Sequence, residues 1–166
     1  DEIIEYQHSI HQSGCEENIL SLDSLLSEIN KHRNNLKRIV FTNGCFDILH
    51  VGHVQYLHQA KKLGDILIVA INSDNSVKLN KGPSRPINSF EDRACIIASL
   101  ESVDYVIKFE EETPINLIKK ITPDFLVKGG DYKNKQVAGQ DFAKELVLID
   151  FVSGKSTTNI IKQIKK

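Results

Sequence analysis

With 166 residues, 40% of them hydrophobic and 26% charged, the chain has the length and composition of one globular domain with its own core, not of a low-complexity or disordered segment. Lys and Arg number 21 against 22 Asp and Glu, so no global field exists to hold a nucleic-acid backbone or an anionic membrane. No apolar run reaches the length of a membrane span, and the acidic start DEIIEY lacks the regions of a signal peptide, so a cytoplasmic protein without nucleic-acid or membrane partners is expected.

Three cysteines, Cys15, Cys45 and Cys95, are odd in number and lack CxxC spacing, which predicts free thiols and no structural metal. The chain contains no methionine and opens at Asp1, which suggests a stretch that begins partway through a longer gene product. Residues 1 to about 18 carry no sustained period and read as an arm or linker. From Ser21, a suitable cap, Leu22, Leu25, Leu26 and Ile29 recur at helical spacing until KHRNN ends the helix. Residues 1–35 are therefore taken as arm plus helix, and 36–166 as the main domain.

From Lys37 onward the pattern alternates between β and α. The runs RIVFT, DILIVAI, DYVIKF, DFLVK and LVLIDFV are rich in Val, Ile and Leu without polar alternation, as expected of strands covered on both sides. Helix starts lie between them: Ser89 three before Asp92, Thr113 before Pro114 at the first helical position, and Ser156 to Thr158 before NIIKQIKK. The fold class predicted is α/β, a Rossmann-like open parallel sheet of about five strands with helices on both faces. In such sheets ligands sit beyond the carboxyl ends of the strands, which directs attention to the turns after RIVFT, DILIVAI and DFLVK.

The first turn reads FTNGCFDILHVGHVQYL. His50 and His53 are three apart at a helix start, so both imidazoles face one object over the helix amino terminus, and Gly52 would let a phosphate come close to free amides there. Two imidazoles can donate to an α-phosphate and to departing pyrophosphate as charge builds, which suits nucleotidyl transfer. The alternatives are two ordinary polar residues at a helix start, or a metal pair completed by Asp47, Cys45 or His58. The second turn, INSDNSVKLNKGPSRPIN, reads as a mobile basic loop carrying Lys78, Lys81 and Arg85, able to close over a triphosphate or simply solvated. In the third, VKGGDY, paired glycines between Lys128 and Asp131 either turn the chain or admit a ligand, with Asp131 available to ribose or magnesium. The segment SGKSTTNIIKQI has no Walker loop, because residue 149 is Ile. Its hydroxyls at a helix start can cap the helix or meet a phosphate.

Taken together, TNGCFDILHVGH, KGPSRPIN, LVKGGDY and STTNII resemble the HxGH nucleotidyltransferase superfamily. More narrowly, residues from about 36 to 166 resemble the heptose 1-phosphate adenylyltransferases. That resemblance implies transfer of AMP from ATP to D-glycero-β-D-manno-heptose 1-phosphate, giving ADP-heptose and pyrophosphate for the lipopolysaccharide core. It implies Mg²⁺ with the ATP, in-line attack without a covalent intermediate, a homodimer, and a fused or upstream sugar kinase, this chain being the carboxyl-terminal domain. It assigns His50 and His53 as catalytic donors. Asn43, Gly44, Cys45, Phe46, Gly52, Lys81, Gly129, Asp131, Ser156, Thr157 and Thr158 bind nucleotide or phosphate, while Asp47, Lys78, Arg85 and Arg93 serve acceptor or metal. The alternative is an HxGH cytidylyltransferase acting on a phosphorylated alcohol such as glycerol 3-phosphate. Those relatives carry RTEGIST where this chain has FVSGKST, with Phe151 in place of the arginine.

Overall fold

The computed structural model describes residues 14–150 and 156–164. Five strands, β1 (Ile39–Gly44), β2 (Ile66–Asn72), β3 (Tyr105–Phe109), β4 (Phe125–Gly129) and β5 (Glu145–Ile149), form one sheet of order β3-β2-β1-β4-β5. Every pairing is parallel, including Ile39 opposite Ile66 and Phe125 opposite Glu145. The unbroken apolar runs follow from burial: all seven residues of β2 are buried, whereas the edge strands β3 and β5 expose Lys108 and Leu148.

Six α-helices connect and cover the strands: α1 (Leu22–Asn34), α2 (Val51–Lys61), α3 (Asp74–Lys81), α4 (Phe90–Ala98), α5 (Ile115–Ile121) and α6 (Thr157–Ile164). Ser21 and Ser89 cap α1 and α4 by accepting the amides of Ser24 and Asp92. One face of the sheet buries Leu57 and Ala60 of α2 and Ile97 of α4 against Leu67, Val69 and Val127. The other buries Leu25 and Ile29 of α1 and Ile118 and Ile121 of α5 against Phe41, Ile68 and Leu126. Helices thus lie on both faces, and α1 is part of the core.

The structure corrects four sequence expectations. Cys15 and Cys95 are joined in a disulfide and only Cys45 is free, because the turn before α1 packs on α4 and brings the two Cα atoms to 5.3 Å. A bridge across 80 residues of sequence leaves no spacing signature. The basic segment after β2 is not all loop: Asp74–Lys81 is helical, capped by Ser73, which accepts the Ser76 amide. Lys78 and Lys81 therefore ride on α3, and only residues beyond it form a loop. Pro114 is the cap of α5 rather than its first helical residue. The fourth correction, at Gly52, belongs to the site. Within the expected arm, residues 14–20 form a short 3₁₀ turn, Glu16–Asn18, and the Leu20 amide donates to Val106 O on the edge of β3. Residues 1–13 of that arm, and the FVSGK stretch with Phe151, lie outside the described residues.

Candidate active site at the switch point between β1 and β4

Strand order reverses between β1 and β4, so their connections leave in opposite directions and open a crevice at their carboxyl ends. A cleft of about 370 Å³ lies there, within the size range of small-ligand sites. Its walls come from all three turns singled out by sequence: Asn43 to Asp47 after β1, Asn72 with Asn80, Lys81 and Arg85 after β2, and Lys128 to Tyr132 at the end of β4. Tyr56, Glu112 and Thr157 complete it. A comparable hollow of about 340 Å³ beside β3 is mainly apolar and contains none of these turns.

The β1–α2 turn is built tightly. Phe46 takes a left-handed φ of 49° and folds its ring back over Gly44, where a Cβ would stand 3.0 Å from that ring. Behind it, Thr42 shares a 2.7 Å hydrogen bond with Tyr56 and donates to Val127 O, which ties α2 to β1 and β4. Burial raises the Tyr56 phenol well above its ordinary value and keeps it protonated.

His50 is the cap of α2 and His53 its third residue, and the two make a reciprocal capping box. The Gly52 amide donates to His50 Nδ1 at 3.1 Å, and the His50 amide donates to His53 Nδ1 at 3.3 Å. An Nδ1 that accepts a backbone N–H cannot carry a proton, so each neutral ring holds its hydrogen on Nε2. The rings lie 3.9 Å apart between centroids, tilted by 30°, with Phe46 edge-on to His53. His53 is pushed down to about 4 by burial first, then by His50 and by the charge of Lys81, so at neutral pH it is an uncharged Nε2–H donor. His53 lines the cleft, and His50 stacks beside it outside the lining. This corrects the reading of Gly52: it is buried, its amide is taken by His50, and it offers no open donor to a phosphate.

Several other predicted residues are engaged with protein partners, some within the cleft wall and some away from it. Asp47 is buried and accepts from Arg85 Nε at 2.5 Å and from the Ile87 and Asn88 amides at 2.9 Å. Burial raises its carboxyl, but those amides and Arg85 more than offset this and hold it below the usual carboxylate range. Arg93 is fully buried, donates to Cys45 O and Asn88 O, and pairs with Asp74 at 2.7 Å. It braces the β1–α2 turn against the starts of α3 and α4 and does not reach the cleft. Lys78 and Thr158 are exposed and lie outside the lining. Ser156 accepts the Asn159 amide at the start of α6, and Thr157 donates to Ile48 O while lining the cleft.

Among cleft residues the sequence did not point to, Asn72 ends β2 and Tyr132 follows the glycine pair, whereas Tyr56, Asn80 and Glu112 carry no local signal. The Cβ of any other residue at Gly130 would press on the Asp150 carboxylate and require that side chain to move. Among the described residues no cluster of three or more His, Cys, Asp or Glu is placed to hold a metal ion, and His58 lies on a different groove. Nor, among them, is any helix long and apolar enough to cross a membrane.

A parallel sheet whose switch point presents an uncharged His53 donor at a helix amino terminus, with cations beside it, is the site of an α/β domain built to receive an anionic ligand. The sequence profile of the cytidylyltransferase-like family matches residues 41–165, and the chain belongs to that family. It is 59% identical over 166 residues to the bifunctional protein HldE of Aliarcobacter butzleri and 56% identical over 164 residues to that of Sulfurimonas denitrificans. The chain is covered almost completely in both comparisons but spans only about a third of the length of these relatives, 35% and 34%. A crystal structure of the lipopolysaccharide core biosynthesis protein from Thermoplasma volcanium superimposes with a TM-score of 0.59 at 30% identity, covering 72% of this chain and 99% of that one.

Proposed function

We propose that this chain transfers AMP from ATP to D-glycero-β-D-manno-heptose 1-phosphate, releasing pyrophosphate and forming ADP-heptose for the lipopolysaccharide core. The observation that carries the chemistry is the reciprocal cap, which fixes both imidazoles with Nδ1 as acceptor and Nε2–H as donor before any ligand arrives. The similarity to the HldE proteins and to a lipopolysaccharide core biosynthesis protein supports the choice of substrates.

An ionised oxygen of the sugar phosphate attacks the α-phosphorus in line. The bond to the bridging oxygen breaks, and pyrophosphate leaves with the bonding pair. The acceptor oxygen is already ionised at neutral pH, so no protein base is required. His53, with His50 beside it, donates from Nε2–H to phosphate oxygens as charge moves onto the leaving group, and Lys81 adds positive charge on the same side. Mg²⁺ enters with ATP as part of the substrate. Asp131 and Glu112 are cleft carboxylates that the Asp47 network leaves available to it. A fused sugar kinase is the second activity that the resemblance implies, and a homodimer is the assembly expected.

Pyrophosphate release with ATP or CTP, each against heptose 1-phosphate, glycerol 3-phosphate and phosphocholine, tests the reading. Release confined to ATP with heptose 1-phosphate supports it. Release with CTP and a phosphorylated alcohol replaces the substrates, and silence with every pair removes the activity.

A further inference from the structure

Three cations other than histidine line the cleft, and they differ in how their charge is met. Arg85 is paired with Asp47 at 2.5 Å, and Lys81 is exposed at the end of α3. Lys128, at the end of β4, is buried, the residue only 8% exposed, and no carboxylate is within ion-pair distance of it among the described residues. Its ammonium donates to the neutral Asn43 Oδ1 and stands 5.3 Å from the centre of the Tyr132 ring. The carboxylate of Asp131, on the same cleft wall, acts on it from beyond ion-pair distance, while an amide oxygen and a ring face do not neutralise an ammonium, so this buried cation is left with room for an anionic ligand.

The topology separates this charge from the other free one. Lys81 follows β2, on one side of β1, and stands close enough to His53 to lower its basicity, whereas Lys128 ends β4, on the opposite side of β1. In-line transfer sets the leaving pyrophosphate and the attacking phosphate on opposite sides of the α-phosphorus, and both are anions that repel on approach. With His53 and Lys81 at the leaving side, we infer that Lys128 binds the phosphate of the acceptor and holds its attacking oxygen toward the α-phosphorus. This rests on the transferase reading above and extends it to a residue outside the HxGH, basic-loop and hydroxyl-helix motifs.

The test is calorimetric titration of heptose 1-phosphate into enzyme loaded with α,β-methylene-ATP and, separately, titration of that analogue alone, for wild type, Lys128→Met and Lys128→Arg. Removing one partner of a buried charge contact is expected to weaken acceptor binding about 30-fold or more in Lys128→Met. Analogue binding should stay within about threefold, and Lys128→Arg should recover most of the acceptor loss, because a phosphate accepts equally from a guanidinium. Equal losses for both ligands, a loss confined to the analogue, or unchanged acceptor binding would overturn the assignment, as would a Lys128→Met chain that fails to fold. Wild-type turnover run in parallel separates the two claims. Acceptor binding that depends on Lys128 without nucleotidyl transfer fails the function and keeps the phosphate site, whereas no acceptor binding by wild type fails both.

Discussion

Replacing His53 by Asn separates its structural work from its chemical work. The Oδ1 of Asn occupies the place of the imidazole Nδ1 and can still accept the His50 amide, now 3.3 Å from Nδ1, but nothing in Asn replaces the Nε2–H. The capping interaction is worth about 1 kcal/mol, with a range of roughly 0.5–2. Loss of a donor to developing negative charge costs about 10²–10³ in turnover. His53→Asn is therefore expected to unfold in urea within about 0.5 kcal/mol of wild type, a cap-conserving change, yet to turn over about 10²-fold more slowly or worse. His53→Ala should show the same kinetic loss and an additional destabilisation of about 1 kcal/mol. Urea unfolding followed by far-ultraviolet circular dichroism, with pyrophosphate release on the same preparations, measures both. His53→Asn turning over within fivefold of wild type would refute the donor role, and stability as low as that of His53→Ala would refute the capping argument.

His53 also links stability to pH. Its folded value of about 4 lies below the ordinary 6.5, so unfolding takes up a proton between those values and stability falls as pH drops from 6.5 toward 4. The ceiling is about 3 kcal/mol, reduced by solvent screening to roughly 1–2, and unfolding midpoints at pH 7 and pH 4.5 should converge for His53→Gln relative to wild type. Burial, opposed in part by the charge of Asp131, lowers Lys128 from 10.5 to about 8, which costs the fold about 3 kcal/mol of stability at pH 7, regained as pH rises from 8 toward 10.5. Lys128→Met should therefore melt at least as high as wild type at pH 7, and a lower melting temperature would contradict the unmet-charge account. Asp47→Ala leaves the partly buried Arg85 unpaired along with two amides, and a loss of about 3 kcal/mol in urea is expected. A loss under about 1 kcal/mol would show that the Asp47 network holds nothing. The Cys15–Cys95 bridge closes 80 residues, so reduction should lower stability by up to about 4 kcal/mol. Alkylation of the unfolded, unreduced chain should label Cys45 alone, and labelling of all three cysteines would remove the bridge.

The parts of the fold legible in the sequence were those in which burial leaves a pattern. DILIVAI is β2 because all seven residues of the strand are buried, and Ser21 and Ser89 are caps because the amides they accept lie three residues on. Helix α3 left almost no such trace, since only Ser76 and Val77 of its eight residues are buried, and its lysines made it look like loop. The histidine pair was legible because three-residue spacing at a helix start forces two rings together. What spacing could not show is that the two rings use Gly52 and His50 amides to fix their own tautomers. Long-range partners were hidden for a similar reason. Asp47 meets amides 40 and 41 residues away, Arg93 reaches Cys45 O across 48, and Lys128 meets Asn43 across 85. Only the sheet order β2-β1-β4 makes these residues neighbours.

The most direct test follows the α-phosphorus itself. With ATP labelled at the α-phosphate and heptose 1-phosphate as acceptor, wild type should move the label into ADP-heptose with one pyrophosphate released per label transferred, and His53→Asn should move it about 10²-fold more slowly. Label that stays in ATP or appears as free AMP, or transfer that His53→Asn leaves intact, would contradict the account.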